Sequence, residues 1–179
     1  MPEFREFPKI PRLNRECIVT EKIDGTNGCV IVNDEGVFAQ SRNNVLTADS
    51  DPFGFGLWVR DNADALREAL GPGYHFGEWW GRKIQRTYGL DERRFSLFNV
   101  GRWEGVELPA GVFVVPVLAR GIFSTSLVQQ CVDDLRANGS RAVPGFMRPE
   151  GVVVWHSAAE HSFKVTLERD EEWKGKRHA

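Results

Sequence analysis

A chain of 179 residues with 23 Lys and Arg against 25 Asp and Glu carries a formal net charge of −2. That excludes a uniformly basic coat for nucleic acid and leaves a local basic groove open, since clustering of charge counts for more than its sum. A hydrophobic content of 41% suffices for the core of a single domain over residues 1–179, while the opening Met1-Pro2-Glu3-Phe4-Arg5-Glu6 lacks the apolar run of a secretory leader and no stretch approaches the roughly 20 apolar residues of a membrane span.

In chain order, Cys17 to Ile23 and Cys29 to Val32 are short apolar runs separated by Asp24-Gly25-Thr26-Asn27. The cluster Asn33-Asp34-Glu35-Gly36 reads as a turn and Val37 to Gln40 as the next strand, so the pattern predicts an antiparallel meander. Asp61 is placed to cap a helix whose Ala63, Leu66 and Leu70 share one face, with Gly71-Pro72-Gly73 as its stop. Tyr74 to Trp80, Arg94 to Val100 and Val112 to Leu118 are further strand candidates. Ser124 or Ser126 caps a second helix, with Leu127, Cys131 and Leu135 on one face and Asn138-Gly139 at its end. Glu150 to His156 and Ser162 to Leu167 read as two closing strands. The expected fold is α+β, with antiparallel sheets and few helices. Three widely spaced cysteines, Cys17, Cys29 and Cys131, form no zinc pattern. Cys29 and Cys131 lie among apolar residues as buried thiols, and a reducing cytoplasm fits them.

The chemistry centres on Glu21-Lys22-Ile23-Asp24-Gly25-Thr26-Asn27-Gly28, where one lysine stands between two carboxylates before a glycine turn. A lysine amine with its ordinary pKa of about 10.4 is protonated at neutral pH and does not attack. Covalent chemistry needs it held where it loses that proton. Taken alone, Asp-Gly beside a surface lysine is also an ordinary hairpin turn.

Further candidates follow. Arg42, in Gln40-Ser41-Arg42-Asn43-Asn44, offers a guanidinium fork for phosphate or ribose. In His75-Phe76-Gly77-Glu78-Trp79-Trp80-Gly81, strand alternation sets Phe76, Glu78 and Trp80 on one face, and a carboxylate among aromatics needs a partner. Phe98 offers a ring for stacking. Glu150-Gly151 begins the apolar Val152-Val153-Val154-Trp155, and Lys164 lies between Phe163 and Val165, with its stem packed and its head free to reach water or an anion. Lysine and arginine also cluster in Gly81-Arg82-Lys83-Ile84-Gln85-Arg86, in Arg93-Arg94 and in Lys174-Gly175-Lys176-Arg177.

Lys22-x-Asp24-Gly25, Arg42, Gly77-Glu78, Phe98, Glu150-Gly151 and Lys164 stand in the order of nucleotidyltransferase motifs I, Ia, III, IIIa, IV and V. The chain thus resembles the ATP-dependent polynucleotide ligases, from about Phe7 to Gly175. It is most similar to the RNA ligase 2-like family of phages and other microbes. The segment from Gly81 through Ile84-Gln85-Arg86 to Tyr88-Gly89 looks like the small phage-type members.

That resemblance implies an adenylyltransferase (nucleotidyltransferase) domain of the ATP-grasp-like ligase type, without an OB domain. It implies that Lys22 takes AMP from ATP and that the AMP then passes to an RNA 5′-phosphate, which a 3′-hydroxyl seals. Glu21 would lie where the family reads the adenine edge, Arg42 and Glu78 would contact ribose, and Phe98 would stack on adenine. Asp24, Glu78 and Glu150 would hold Mg2+ or Mn2+ through water, and Lys164 would neutralise the α-phosphate. The implied partner is nucleic acid with 5′-phosphate and 3′-hydroxyl ends, with RNA in a nicked duplex favoured, in RNA repair. The implied state is a cytoplasmic monomer, in the host cytoplasm for a phage-encoded chain.

The family's motif V usually reads Lys-x-Lys, and Thr166 fills the second position here, with Lys174 or Lys176 as possible substitutes. Three other readings remain open: a DNA ligase, an mRNA-capping-type guanylyltransferase, and a non-catalytic nucleic-acid-binding relative.

Overall fold

The computed structural model describes residues 2–47 and 49–168. The elements in order are β1 (Glu16–Lys22), β2 (Thr26–Asn33), β3 (Gly36–Gln40), α1 (Phe55–Asp61), α2 (Ala63–Leu70), β4 (Gly73–Gly81) and β5 (Arg93–Leu97). They continue as α3 (Val100–Trp103), β6 (Val112–Val114), β7 (Val117–Ile122), α4 (Thr125–Asn138), β8 (Gly151–His156) and β9 (His161–Thr166). The strands form two sheets, ordered β7-β1-β8-β9 and β3-β2-β4-β5-β6. The α+β class with antiparallel-rich sheets is therefore observed.

The local order departs from the expected meander. β1 does not pair with β2; it lies between β7 and β8. Asp24-Gly25 is thus a crossover from one sheet to the other, and of the expected β1-β2-β3 meander only β2–β3 is a hairpin. The crossover passes so close under β4 that a Cβ on Gly25 would lie 2.5 Å from the Trp79 carbonyl oxygen and 2.7 Å from the Trp80 Cβ. Real Cβ atoms do not approach that closely, so this position requires glycine.

The expected strand over 112–118 is two strands. Pro116 cannot donate to a ladder, and the chain changes sheets there: Val115 N donates to Leu97 O, while Pro116 O accepts from Glu21 N. β6 runs parallel to β5, so the second sheet is not wholly antiparallel. β5 ends at Leu97, short of the expected Val100, because α3 begins there.

Asp61 does not cap a helix; it is the last residue of α1, and Asn62 stands at the N-cap of α2. The aromatic and glycine-rich Phe53-Gly54-Phe55-Gly56 hides α1 in the sequence. Its start is secured by the Asp51 carboxylate, which accepts from Leu57 N at 2.9 Å. Its Phe55 and Val59 are buried with Trp79, Phe95 and Leu66 against the larger sheet. The second helix forms as expected: the Ser124 side chain caps α4, accepting from Leu127 N. Cys131, Val132 and Leu135 pack on Cys17, Val19, Val152 and Val154. All three cysteines are buried thiols. A third cluster of Ile23, Trp80, Tyr88, Val100 and Val115 joins the sheets.

Candidate active site

A cleft of about 1080 Å³ opens between the sheets, and residues of both line it. Register explains the first wall. Residues directly opposite in an antiparallel ladder share a face. Ile18, Trp155 and Ser162 form one row, and Thr20, Val153 and Lys164 the next. Lys22, Gly151 and Thr166 form the third. All of these except Gly151 and Thr166 line the cleft. The second wall comes from Tyr74, Phe76 and Glu78 of β4, with Asn27 of β2, and Phe98 and Arg102 beyond β5.

Lys22 ends β1, with Nζ 2.6 Å from Oε2 of Glu150, one residue before β8. Both side chains are about one-fifth exposed, at 23% and 18%. Glu78 is 8% exposed. Its Oε1 accepts from Gly25 N at 3.0 Å, and its Oε2 from Asn27 Nδ2 at 3.4 Å. Burial pushes this carboxyl up to about 7, opposed by Lys22 and the Gly25 amide and reinforced by Glu150 and Asp24. Asp24 turns away from Lys22 to pair with Arg86 Nε at 3.1 Å. Its amide donates to the Tyr88 hydroxyl at 2.9 Å.

Arg42 Nε and Nη2 both donate to Asn27 Oδ1, at 3.0 and 2.6 Å. Arg42, Asn27, Glu78 and the Gly25 amide are thereby one chain of contacts. Phe98 is 41% exposed at the cleft. Lys164 is exposed in the same row as Val153.

Glu21 sits differently from the other candidates. Strand alternation turns its side chain to the α4 side with Cys17 and Val19, and it is 1% exposed. Its Oε1 accepts from Ser140 Oγ at 2.6 Å, and its Oε2 from the amides of Arg141 and Ala142 at 2.7 and 3.0 Å. Burial raises its pKa, and the Ser140 and backbone hydrogen bonds oppose that rise. The carboxylate anchors the segment after α4, so only the Glu21 backbone is left to face the cleft.

Lys22, Asp24, Arg42, Glu78, Phe98 and Lys164 thus line one cleft, and Glu150 reaches it through its pair with Lys22. Among the described residues, no three His, Cys, Asp or Glu side chains converge as a direct metal cage. Asp24, Glu78 and Glu150 could share a hard cation only through water. Oxygen donors of this kind suit Mg2+ or Mn2+, which keep several waters. Lys174 and Lys176 lie outside the described residues. Thr166 stands in the Lys22 row across Gly151.

The sequence marks Arg86 as part of a basic run and of the Gly81–Gly89 segment, with no role of its own. The structure makes it a clasp. Besides Asp24, its Nη1 donates to Arg148 O at 3.2 Å and its Nη2 pairs with Glu168 at 3.5 Å. One guanidinium therefore ties the crossover after Lys22, the segment before Glu150 and the residues after β9. Asn27, the hinge between Arg42 and Glu78, was also missed. The signal for Arg86 was the bracketing of apolar Ile84 and Tyr88 by Gly81 and Gly89, which marks a loop folded inward.

The RNA ligase family model matches residues 15–166. No curated protein matches the sequence. Among solved structures, three mutant forms of an RNA ligase of Naegleria gruberi are similar to the fold. One, with AMP and Mn, has a TM-score of 0.58 at 20% identity, covering 86% of this chain and 50% of that one. Another, with ATP and Mn, has a TM-score of 0.60 at 20% identity, covering 91% and 53%. A third, apo, has a TM-score of 0.59 at 19% identity, covering 90% and 52%. The chain spans about half the length of these relatives.

Proposed function

The chain belongs to the RNA ligase family, and from that premise we propose that it is an ATP-dependent RNA ligase working through a lysyl-AMP on Lys22. The observation that carries this reading is the Lys22–Glu150 pair at 2.6 Å, with Lys22 lining a cleft of about 1080 Å³. Nζ attacks the α-phosphorus of ATP, an N–P bond forms, and the bond to the β-phosphate oxygen breaks to release pyrophosphate. Before attack the ammonium must give up a proton, and the Glu150 carboxylate lies on that path. An RNA 5′-phosphate oxygen then takes the AMP from Nζ, and a 3′-hydroxyl oxygen displaces AMP to form the phosphodiester.

The remaining groups position the reactants and stabilise charge, which supplies most of the rate in such transfers. Lys164 lies in the row beside Val153, aimed at the α-phosphate. Phe98 and Val153 bracket the base from opposite walls, and Arg42 and Glu78 meet the ribose. A divalent cation held through water by Asp24, Glu78 and Glu150 would favour the neutral amine and offset charge on the α-phosphate. The Naegleria ligase structures with ATP or AMP and Mn lend support by analogy of fold.

The reading is tested by incubating the protein with labelled ATP and magnesium, then with nicked RNA, RNA–DNA hybrid and DNA duplexes. Sealing of RNA is expected. Exclusive sealing of DNA, or labelling by GTP in place of ATP, would move the chain to one of the other nucleotidyltransferase classes.

A further inference from the structure

The loop between β4 and β5 carries an unusual backbone. Lys83, Gln85, Thr87 and Tyr88 all have positive φ, at 60°, 44°, 57° and 55°. The only other described non-glycine residue in that region is Glu160. Such backbone is strained in residues other than glycine, and such outliers gather at ligand clamps. The loop folds inward through Ile84 and Tyr88, which are 0% and 2% exposed. It leaves Arg82, Lys83 and Gln85 outside.

The loop lies against the crossover that follows Lys22, where the Tyr88 hydroxyl accepts from the Asp24 amide. Arg86, in the same loop, touches Asp24 and the Arg148 carbonyl. Tyr88 packs on Phe146 with ring centroids 4.6 Å apart, and the Arg148 guanidinium lies 5.9 Å from the Phe146 ring centre. The loop and Arg148 are therefore one continuous surface next to the crossover that follows Lys22.

Among the described residues no carboxylate pairs with Arg82, Lys83 or Arg148. The other arginines around the cleft and on β5 are engaged: Arg94 with Glu92, Arg93 with the Phe53 carbonyl, Arg42 with Asn27 and Arg86 with Asp24. In a chain of net charge −2, three unpaired cations beside one end of a nucleotide cleft amount to a local basic patch. A strand whose 5′-phosphate oxygen displaces Lys22 Nζ from AMP must bring that phosphate to the Lys22 end of the cleft, next to this loop.

We propose that Arg82, Lys83 and Arg148 form the surface on which the phosphodiester backbone of the RNA 5′-phosphate strand lies. This rests on the ligase reading, and it names a substrate-holding surface away from the groups that handle ATP.

The test compares the full chain with an Arg82→Ala/Lys83→Asn/Arg148→Gln variant, asparagine being chosen because it tolerates positive φ. The probe is a 5′-phosphorylated RNA oligonucleotide, with binding measured from about 50 to 200 mM salt. Each lost phosphate contact lowers the slope of log K against log salt by about 0.7 for a single strand, so the variant should lose about 2 in slope and bind at least about tenfold more weakly. Its lysyl-AMP formation from ATP should match the wild type, while transfer of AMP to RNA slows. An unchanged slope, or no RNA binding by the wild type, overturns the surface. So does an equal loss of lysyl-AMP formation. If the wild type forms no lysyl-AMP, the ligase reading fails and the slope comparison still decides the surface. Should the triple variant melt below the wild type, the single Lys83→Glu change at the exposed tip carries the same comparison.

Discussion

Lys22 Nζ and Glu150 Oε2 meet at 2.6 Å from positions 128 residues apart in the chain. The contact follows from the pairing of β1 with β8, which sets Lys22 opposite Gly151. Gly151 is a tight position, since a Cβ there would collide with the Val165 carbonyl oxygen of β9. β1, β8 and β9, three neighbouring strands of the four-stranded sheet, thus fix Lys22 beside Glu150.

Replacing Glu150 by Gln keeps the shape and removes the charge. Proton transfer to a positioned side chain is worth about 10²–10⁴-fold, so Glu150→Gln should slow lysyl-AMP formation by about 100-fold or more. The ATP concentration at half-maximal rate should change far less. Single-turnover rates over a range of ATP concentrations measure both. A change confined to ATP binding would assign Glu150 to the nucleotide rather than to the lysine.

Glu78 has a pH signature in the absence of divalent cations. Its carboxyl is raised to about 7 by burial, against an ordinary value near 4.3 in the unfolded chain. The folded state therefore holds this proton more tightly. The stability it contributes is full below about pH 4.3 and is lost as pH rises to about 7. Glu78→Gln, always neutral, should melt higher than wild type above pH 7, and the gap should close on acidification to about pH 4. A gap that does not change with pH would contradict the assignment.

Glu21, next to Lys22, is expected to act on the fold. Glu21→Gln presents an amide N–H₂ to a site built from three donors, Ser140 Oγ and the amides of Arg141 and Ala142. Leaving buried groups unsatisfied costs about 1–3 kcal/mol each. Urea unfolding should register a loss of that order, with ATP binding by the folded fraction unchanged. Intact stability with weakened ATP binding would return Glu21 to the nucleotide.

Arg86 should act through Asp24. Arg86→Ala releases the crossover, so the amides of Asp24 and Gly25 should exchange hydrogen faster, and lysyl-AMP formation should slow with little change in ATP binding. Arg86→Lys keeps the charge and loses the planar fork that reaches three segments, so it should rescue only in part. Unaltered exchange at Asp24 and Gly25 in Arg86→Ala would remove the clasp.

Much of the site was legible in the sequence because its residues sit on strands, where alternation alone decides which side chains share a face. Lys22, Glu78 and Lys164 follow that rule. Glu21 follows it too: as the neighbour of Lys22 it must point to the opposite face, which the motif did not disclose. The sheet partners of β1 were not legible, because pairing with β7 and β8 depends on contacts more than 95 residues away. α1 was hidden because its apolar residues serve one short buried turn beside two glycines. Arg86 was hidden because its three partners come from distant segments, and no local pattern announces such a meeting.

The most direct measurement is the site of the covalent adduct. The protein is incubated with ATP and magnesium, digested, and its peptides are weighed. One AMP is expected on the peptide containing Lys22, and none in Lys22→Ala. An adduct on Lys164 or another lysine, or equal labelling of Lys22→Ala, would contradict the account.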